Sequence, residues 1–475
     1  MLAISREDVL ARIVKENPWW ESVQHFPFDS MKPRLYLDRL VAMTTSDVRR
    51  AIILMGPRRV GKTVLLHHAL ADLIVSGNVD PRSICLVSVD NPLYNNLSLQ
   101  DFLDLYKKAT GIDYESSRCF FIFDEIQYMR NWEQHLKVLV DSYPNLKFIA
   151  SGSAAAALKL KSNESGAGRF TDLLLPPLTF YEYVRLRACE QLFDGCCAAN
   201  GSAPWLRVVR VPDGDGMSRI NETFLDYINF GGYPEVALNA AIQADPGRFV
   251  KSDIVDKVLL RDLPSLYGIE NIQELNYLFT TLAYNTANEV SLENLSQNSG
   301  IAKNTIKRYI EYLEAAFLIK TVNRVGIDAK RFKRVVSFKV YLSNPSIRAA
   351  LFAPLGMQDE KELGGLVETA VFAQWFHLPD LELYYARWRQ GEVDMVGMDK
   401  AMKAAWATEV KWSDAYCGHP EKLKAQIGFC KKHGLARLRV TSKTFKGDIE
   451  HEGVSLEFVP ASLYCYILGH NILNR

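Results

Sequence analysis

The chain of 475 residues has almost no net charge, 56 Lys and Arg against 55 Asp and Glu. It has no apolar run near the roughly 18 residues that a membrane-spanning helix needs, and no basic leader followed by an apolar stretch at its start. Its eight cysteines form no C-x-x-C and no Cys/His spacing that could wrap a zinc ion, so neither a zinc module nor a disulfide framework is expected. The adjacent pair Cys196 and Cys197 is read as small buried or loop thiols rather than a redox device. These absences exclude a membrane protein and a disulfide scaffold, and a soluble, cytoplasmic protein is expected. With 48% hydrophobic and 23% charged residues the composition is globular. At roughly 100 to 200 residues per domain, the length implies two to four packed units.

The balanced total hides an uneven distribution. Residues 318–339 carry seven Lys or Arg against Asp328 alone, and residues 400–446 carry eleven against three acids, so the C-terminal half is the basic one. A concentrated positive field attracts phosphate backbones, and it also simply solvates a surface; the two readings stay open on charge alone.

Residues 51–55 (AIILM) read as a strand buried on both faces. They lead into Gly56-Pro57-Arg58-Arg59-Val60-Gly61-Lys62-Thr63, followed by Val64 and by apolar residues at helical spacing (Leu65, Leu66, Ala69, Leu70, Leu73). Strand, glycine-rich G-x-x-x-x-G-K-T loop and helix together make a phosphate-binding loop. Its amides would curl around phosphate, Lys62 would neutralise the β and γ oxygens, and the Thr63 hydroxyl would hold Mg²⁺ at the helix N-terminus. A second apolar run, residues 119–123, ends in Asp124 and Glu125. Asp124 is the expected partner of the metal and Glu125 the general base for an attacking water. ATP is expected rather than GTP, because no separate base-reading motif is present.

Residues 84–89, 147–150 and 173–175 add three more strand signals, making five strands separated by helices: a doubly wound parallel sheet with its ligand at the carboxyl ends. Ser151 and Ser153 follow the fourth strand, as sensors of the γ-phosphate or as a plain turn. Arg169, in Gly166-Ala-Gly-Arg-Phe170, is either a finger reaching the γ-phosphate, in cis or from a neighbour, or a surface ion-pair partner.

The motifs GPRRVGKT, FFIFDEIQ, FIASGSAAA, GRF with LLLPPLTFYEYV, and FGGYPEV, spanning residues 51–236, resemble a prokaryotic family of AAA-type ATPases with a C-terminal extension reaching about residue 412. The resemblance implies an additional-strand P-loop fold with the sensor strand between the two Walker strands, and the same roles for Lys62, Thr63, Asp124, Glu125 and Ser151. Residues 189–216 look like an insertion of unread role.

Residues 292–300 and 303–313 form a helix-turn-helix pattern with Gly300 at the turn. Ile306, Ile310 and Leu313 would face the core; Lys303, Asn304, Lys307 and Arg308 would project as on a DNA recognition helix. The pattern equally suits a plain packing module, and the basic residues up to 339 would suit a wing. Further on, residues 382–388, 391–397 and 405–412 read as three strands. The period of two puts Glu409 and Lys411 on one face beside Asp394, with Glu368 on a helix starting near Gly364-Gly365. Asp394 and Glu409 as Mg²⁺ ligands with Lys411 to activate water or hold a phosphate would suffice for phosphodiester cleavage. A buried salt bridge to Lys411 is the alternative. The order helical Glu, D, E-x-K resembles the restriction-endonuclease-like PD-(D/E)xK superfamily, with Val393 in place of the proline. That resemblance implies Glu368 as a further metal ligand.

The expected architecture is thus α/β: an additional-strand P-loop NTPase domain over residues 1–188, the insertion 189–216, a helical and winged-helix domain 217–340, and an α/β restriction-endonuclease-like domain 341–475. The expected cofactors are ATP and Mg²⁺. DNA, through Lys303, Lys307, Arg308 and the basic half, and a second copy of the chain are the candidate partners. Nucleotide-controlled engagement of nucleic acid, with or without cutting, is the expected function.

Overall fold

The computed structural model describes residues 5–23, 26–152, 168–200, 203–329, 337–378 and 380–474. The chain packs as two compact units, Met1–Leu175 and Pro176–Arg475.

The first unit is built on β1 (Ala51–Met55), β2 (Ile84–Ser88), β3 (Cys119–Asp124), β4 (Leu146–Gly152) and β5 (Phe170–Leu174). All neighbours run parallel, in the order β2-β3-β4-β1-β5. The five expected strands are present with shifted ends, and β4 lies between β1 and β3, as the resemblance implied. The apolar runs follow from this topology, because a parallel sheet is covered by helices on both faces: every residue of β1, β3 and β4 is buried. The helices are α1 (Arg6–Glu16), α2 (Leu37–Thr45), α3 (Lys62–Val75), α4 (Leu99–Thr110) and α5 (Trp132–Ser142). Since among the described residues β2 pairs only with β3, its outer rim needs other partners. The buried Asn17 amide supplies two, donating to Leu86 O (2.8 Å) and accepting from Leu86 N (2.7 Å). The Trp19 and Trp20 indoles both donate to Ile84 O.

The second unit centres on one nine-stranded mixed sheet. Its strands are β8 (Glu289–Ser291), β9 (Ile319–Val325), β10 (Ser337–Leu342), β11 (Leu383–Trp388), β12 (Gly391–Met398), β13 (Ala404–Glu409), β14 (Arg437–Ser442), β15 (Gly447–His451) and β16 (Val454–Pro460). They run in the order β15-β16-β14-β13-β12-β11-β9-β10-β8. Residue 340, an expected boundary, falls inside β10, and β9 pairs in parallel with β11 (Asn323 beside Tyr384), so segments expected in two domains share a sheet. The stretch 189–216 contributes a separate hairpin of β6 (Cys197–Asn200) and β7 (Ala203–Val208). Helices Glu360–Trp375 and Ala461–Leu473 fill the core with Leu366, Val367, Ala370, Phe372, Leu463 and Cys465. Among the described residues no helix is long and apolar enough to cross a membrane.

Candidate functional site

At the carboxyl end of β1 the chain turns through the glycine-rich loop into α3. Two glycines are required by geometry. A Cβ on Gly56 would stand 2.2 Å from the backbone oxygen of Leu175, and Gly61 caps α3 at φ +92°, in the left-handed region. Val60 O accepts from the buried Arg34 guanidinium at 2.8 Å, fixing the loop from the segment before α2; Arg34 was missed in the sequence, where nothing local marks it. Lys62 is buried, and its Nζ donates to Gly56 O (3.1 Å) and Pro57 O (2.8 Å), so the ammonium lies within the loop it serves. Arg58 reaches Tyr128 OH at 3.5 Å, the outer limit of a hydrogen bond, and Arg59 takes a left-handed φ of +64°.

The acids of β3 meet this loop. The Thr63 hydroxyl, at the first turn of α3, donates to Asp124 Oδ2 at 2.7 Å. Ser151, fully buried at the tip of β4, donates to Asp124 Oδ1 and accepts from the Glu125 backbone N–H at 3.2 Å. Glu125 itself adopts φ +55°, which costs a non-glycine residue about 1–2 kcal/mol. Its carboxylate accepts from the Gln127 side chain. Three strands and one helix thus bring Lys62, Thr63, Asp124, Glu125 and Ser151 to the crevice where a doubly wound sheet takes its ligand. Ser151 touches the two acids. Ser153 lies outside the described residues.

The comparison with family models decides what this crevice belongs to: residues 48–184 match a model described as an AAA domain. Residues 48–184 are an AAA-type, ATPase-like domain. Residues 221–361 match a second model, described as a domain of unknown function. The chain is 26% identical over 374 residues to an uncharacterised protein of Methanocaldococcus jannaschii, covering 76% of this chain and 73% of that one. It is 23% identical over 341 residues to an uncharacterised protein of Haemophilus influenzae, covering 70% and 76%. Among solved structures it is similar to the Aeropyrum pernix ORC2 protein, with 15% identity, 71% and 91% covered and a TM-score of 0.35. It is also similar to the ADP complex of S. cerevisiae Hsp104, with 14% identity, 91% and 68% covered and a TM-score of 0.32.

Within the AAA-type domain Arg169 corrects one expectation. It directly precedes β5, and its carbonyl accepts from Ala51 N at 2.8 Å, at the amino end of β1. The loop leaves the other end, roughly 16 Å away at about 3.3 Å per residue. The Arg169 backbone therefore stands at the end of β1 opposite the loop. Arg169 Nε pairs with Asp141 at 2.9 Å, both side chains half-exposed.

In the second unit Glu368, Asp394, Glu409 and Lys411 do converge. Val410 N donates to Asp394 Oδ2 (2.9 Å), and Lys411 Nζ lies 2.6 Å from Glu409 Oε1 and 3.7 Å from Asp394 Oδ2. β13 ends at Glu409, so Lys411 stands just past the strand on the same side. Gln426 Nε2 also donates to Glu409, at 2.9 Å. The sequence reading missed Lys339, counted there only within the basic run. Its Nζ lies 2.9 Å from Glu368, 2.6 Å from Glu392 and 3.3 Å from Asp394, with the Tyr385 ring 5.5 Å away. Tyr341 OH donates to Glu368 at 2.7 Å. Burial pushes the Glu368 and Glu409 carboxyls up to about 7 and about 8, with Asp394 adding to both. Burial opposes ionisation of Asp394 as well, but Lys411 and Lys339 hold it below the usual range. For both ammonium groups the surrounding carboxylates outweigh burial and raise the pKa. Among the described residues no group of three or more His, Cys, Asp or Glu is arranged to hold a metal ion. Lys339 stands between Glu368 and Asp394 of the expected ligand set, and Lys411 between Asp394 and Glu409.

Helices Leu292–Ser299 and Lys303–Ala315 form where expected, with Gly300 at φ +73° between them. Ile306, Ile310 and Leu313 are buried, while Lys307 and Arg308 are exposed. Lys303, also exposed, is paired with Glu293. Of the expected wing residues, Lys330, Arg331, Lys333 and Arg334 lie outside the described ones.

Proposed function

We propose that the chain is an ATP-hydrolysing switch whose second unit engages nucleic acid without cutting it. The observation that carries the first half is the continuous linkage from Thr63 through Asp124 to Ser151 and Glu125. It ties the loop that would cradle phosphate to the carboxylates that would serve hydrolysis. Loop amides and Lys62 would hold the β and γ phosphates. The Thr63 hydroxyl and the Asp124 carboxylate, 2.7 Å apart, would hold Mg²⁺, which would supply positive charge to offset that of the phosphates. Glu125 would take the proton from the attacking water, its carboxylate oriented by Gln127 and its backbone by Ser151.

For the second half, support comes from the order helix Ile272–Tyr284, β8, two helices joined at Gly300, then the β9–β10 pair, which is that of a winged helix. Lys307 and Arg308 would face the phosphate backbone. Helix Glu360–Trp375, strands β11 to β13, helix Lys424–His433 and β14 follow in the order of a restriction-endonuclease-like domain, and the meeting of Asp394, Glu409 and Lys411 would favour cutting. Lys339 among the same carboxylates favours the non-cutting reading.

The test joins both halves. Lys62→Ala should abolish ATP turnover, and Glu125→Gln should retain bound ATP unhydrolysed. DNA binding followed by fluorescence anisotropy should differ between ATP-bound Glu125→Gln and Lys62→Ala, and should weaken in Lys307→Glu/Arg308→Glu. Calorimetry showing no uptake of ATP, or DNA affinity identical in every nucleotide state, would refute the proposal.

A further inference from the structure

Magnesium-dependent cleavage, which the order Glu368, Asp394, Glu-x-Lys implies, asks for carboxylate oxygens about 2.0–2.1 Å from a six-coordinate ion. The cleft of the second unit does not offer that arrangement. Its centre is taken by the Lys339 ammonium, at 2.6–3.3 Å from Glu368, Glu392 and Asp394, while Lys411 joins Asp394 to Glu409. The Lys339 side chain is only 4% exposed and is walled by the Tyr385 ring, with Tyr341 holding Glu368 from the same strand.

An ammonium so deeply buried keeps its charge only with anionic partners, since burial alone favours the neutral amine. The three carboxylates are therefore committed to it. A divalent ion could reach the same oxygens only by displacing the Lys339 ammonium from its three carboxylates. Lys339 and a metal are mutually exclusive occupants.

We propose that Lys339 is a built-in cation: it takes the place of the divalent metal in the Glu368/Glu392/Asp394 cleft, so that the native chain holds no Mg²⁺ there and removal of the ammonium opens a divalent-cation site. This deepens the non-cutting reading of the second unit and rests on it.

The test titrates the full chain, without nucleotide, with Mn²⁺, and reads bound ion from the loss of the free-ion paramagnetic resonance signal. Wild type and Asp394→Asn should take up Mn²⁺ identically. Lys339→Met should gain one site per chain, which the added Asp394→Asn removes, and Lys339→Arg should gain none. Wild-type uptake that falls on Asp394→Asn would overturn the proposal. So would a folded Lys339→Met, checked by circular dichroism, that takes up no more Mn²⁺ than wild type. Should Lys339→Met fail to fold, wild type against Asp394→Asn still decides, equal uptake supporting the proposal and unequal uptake refuting it. Because nucleotide is absent throughout, a failure of the ATPase reading would appear only in the ATP titrations.

Discussion

Ser151 is the residue on which the geometry and the usual expectation for a sensor part company. Its hydroxyl donates to Asp124 and accepts from Glu125 N, so it holds both acids from the neighbouring strand. Ser151→Ala removes a hydrogen bond to a carboxylate in a fully buried position, a loss of about 1.5–3 kcal/mol where a charged group is involved. If that loss falls on the transition state, kcat drops by roughly 10- to 150-fold, at a factor of ten per 1.36 kcal/mol. The loop amides and Lys62 are untouched by the change, so affinity for ATP should stay within about threefold. Because Ser151 acts through the acids, the ratio of ATP to ADP affinity should not change either. Phosphate release gives the first quantity and calorimetry with both nucleotides gives the others. An unaltered kcat would refute the positioning role. A collapse of ATP affinity with ADP affinity preserved would show that Ser151 touches the γ-phosphate after all.

Gly56→Ala should cost stability by about 1–3 kcal/mol and weaken ATP binding at least tenfold, since its Cβ meets the Leu175 carbonyl 2.2 Å away and only the backbone can yield; thermal melts with and without ATP check this. His67, on α3 between Trp19 and Phe28, is held down to about 4 by burial and by His68. Its folded value lies below the ordinary one of about 6.5, so the stability it confers is full above that pH and drains away as pH falls toward 4, by about 3 kcal/mol in all. Urea unfolding at pH 7.5 and 5 should show about 2 kcal/mol of this loss, and His67→Gln should reduce it. Arg169→Ala should change stability by less than about 1 kcal/mol, as expected for an exposed pair, and leave turnover per chain unchanged at every protein concentration. A tenfold fall in turnover that grows with concentration would instead make Arg169 a finger acting on a second copy.

What the sequence disclosed is what local chemistry dictates. Residues 51–63 and 119–125 carry their structure in short apolar runs, glycines and acids, and each element appears where those signals put it. The period of two likewise puts Glu409 and Lys411 on one side, and the two lie 2.6 Å apart there. The order of the strands was not local: β4 lies between β1 and β3 by virtue of packing, and only the family resemblance anticipated it. A fifth strand that starts at residue 173 leaves Arg169 in a loop that could belong to either end of the sheet. With β5 starting at Phe170, the residue before it must lie at the amino edge of a parallel sheet, away from the loop.

Lys339 shows why charge runs mislead. It closes a basic run, which suggests a solvated wing, yet it follows Phe338 and precedes Val340 in a strand that is buried from Phe338 onward. A lysine in such a setting must find carboxylates, and those it finds are 29 to 55 residues away, on a helix and on β12. The pairing becomes available because the segment before residue 340 and the segment after it share one sheet, through β9 beside β11. A boundary drawn at 340 separates the ammonium from its anions on paper. The same acids then read as metal ligands lacking a cation, when the fold has already supplied one.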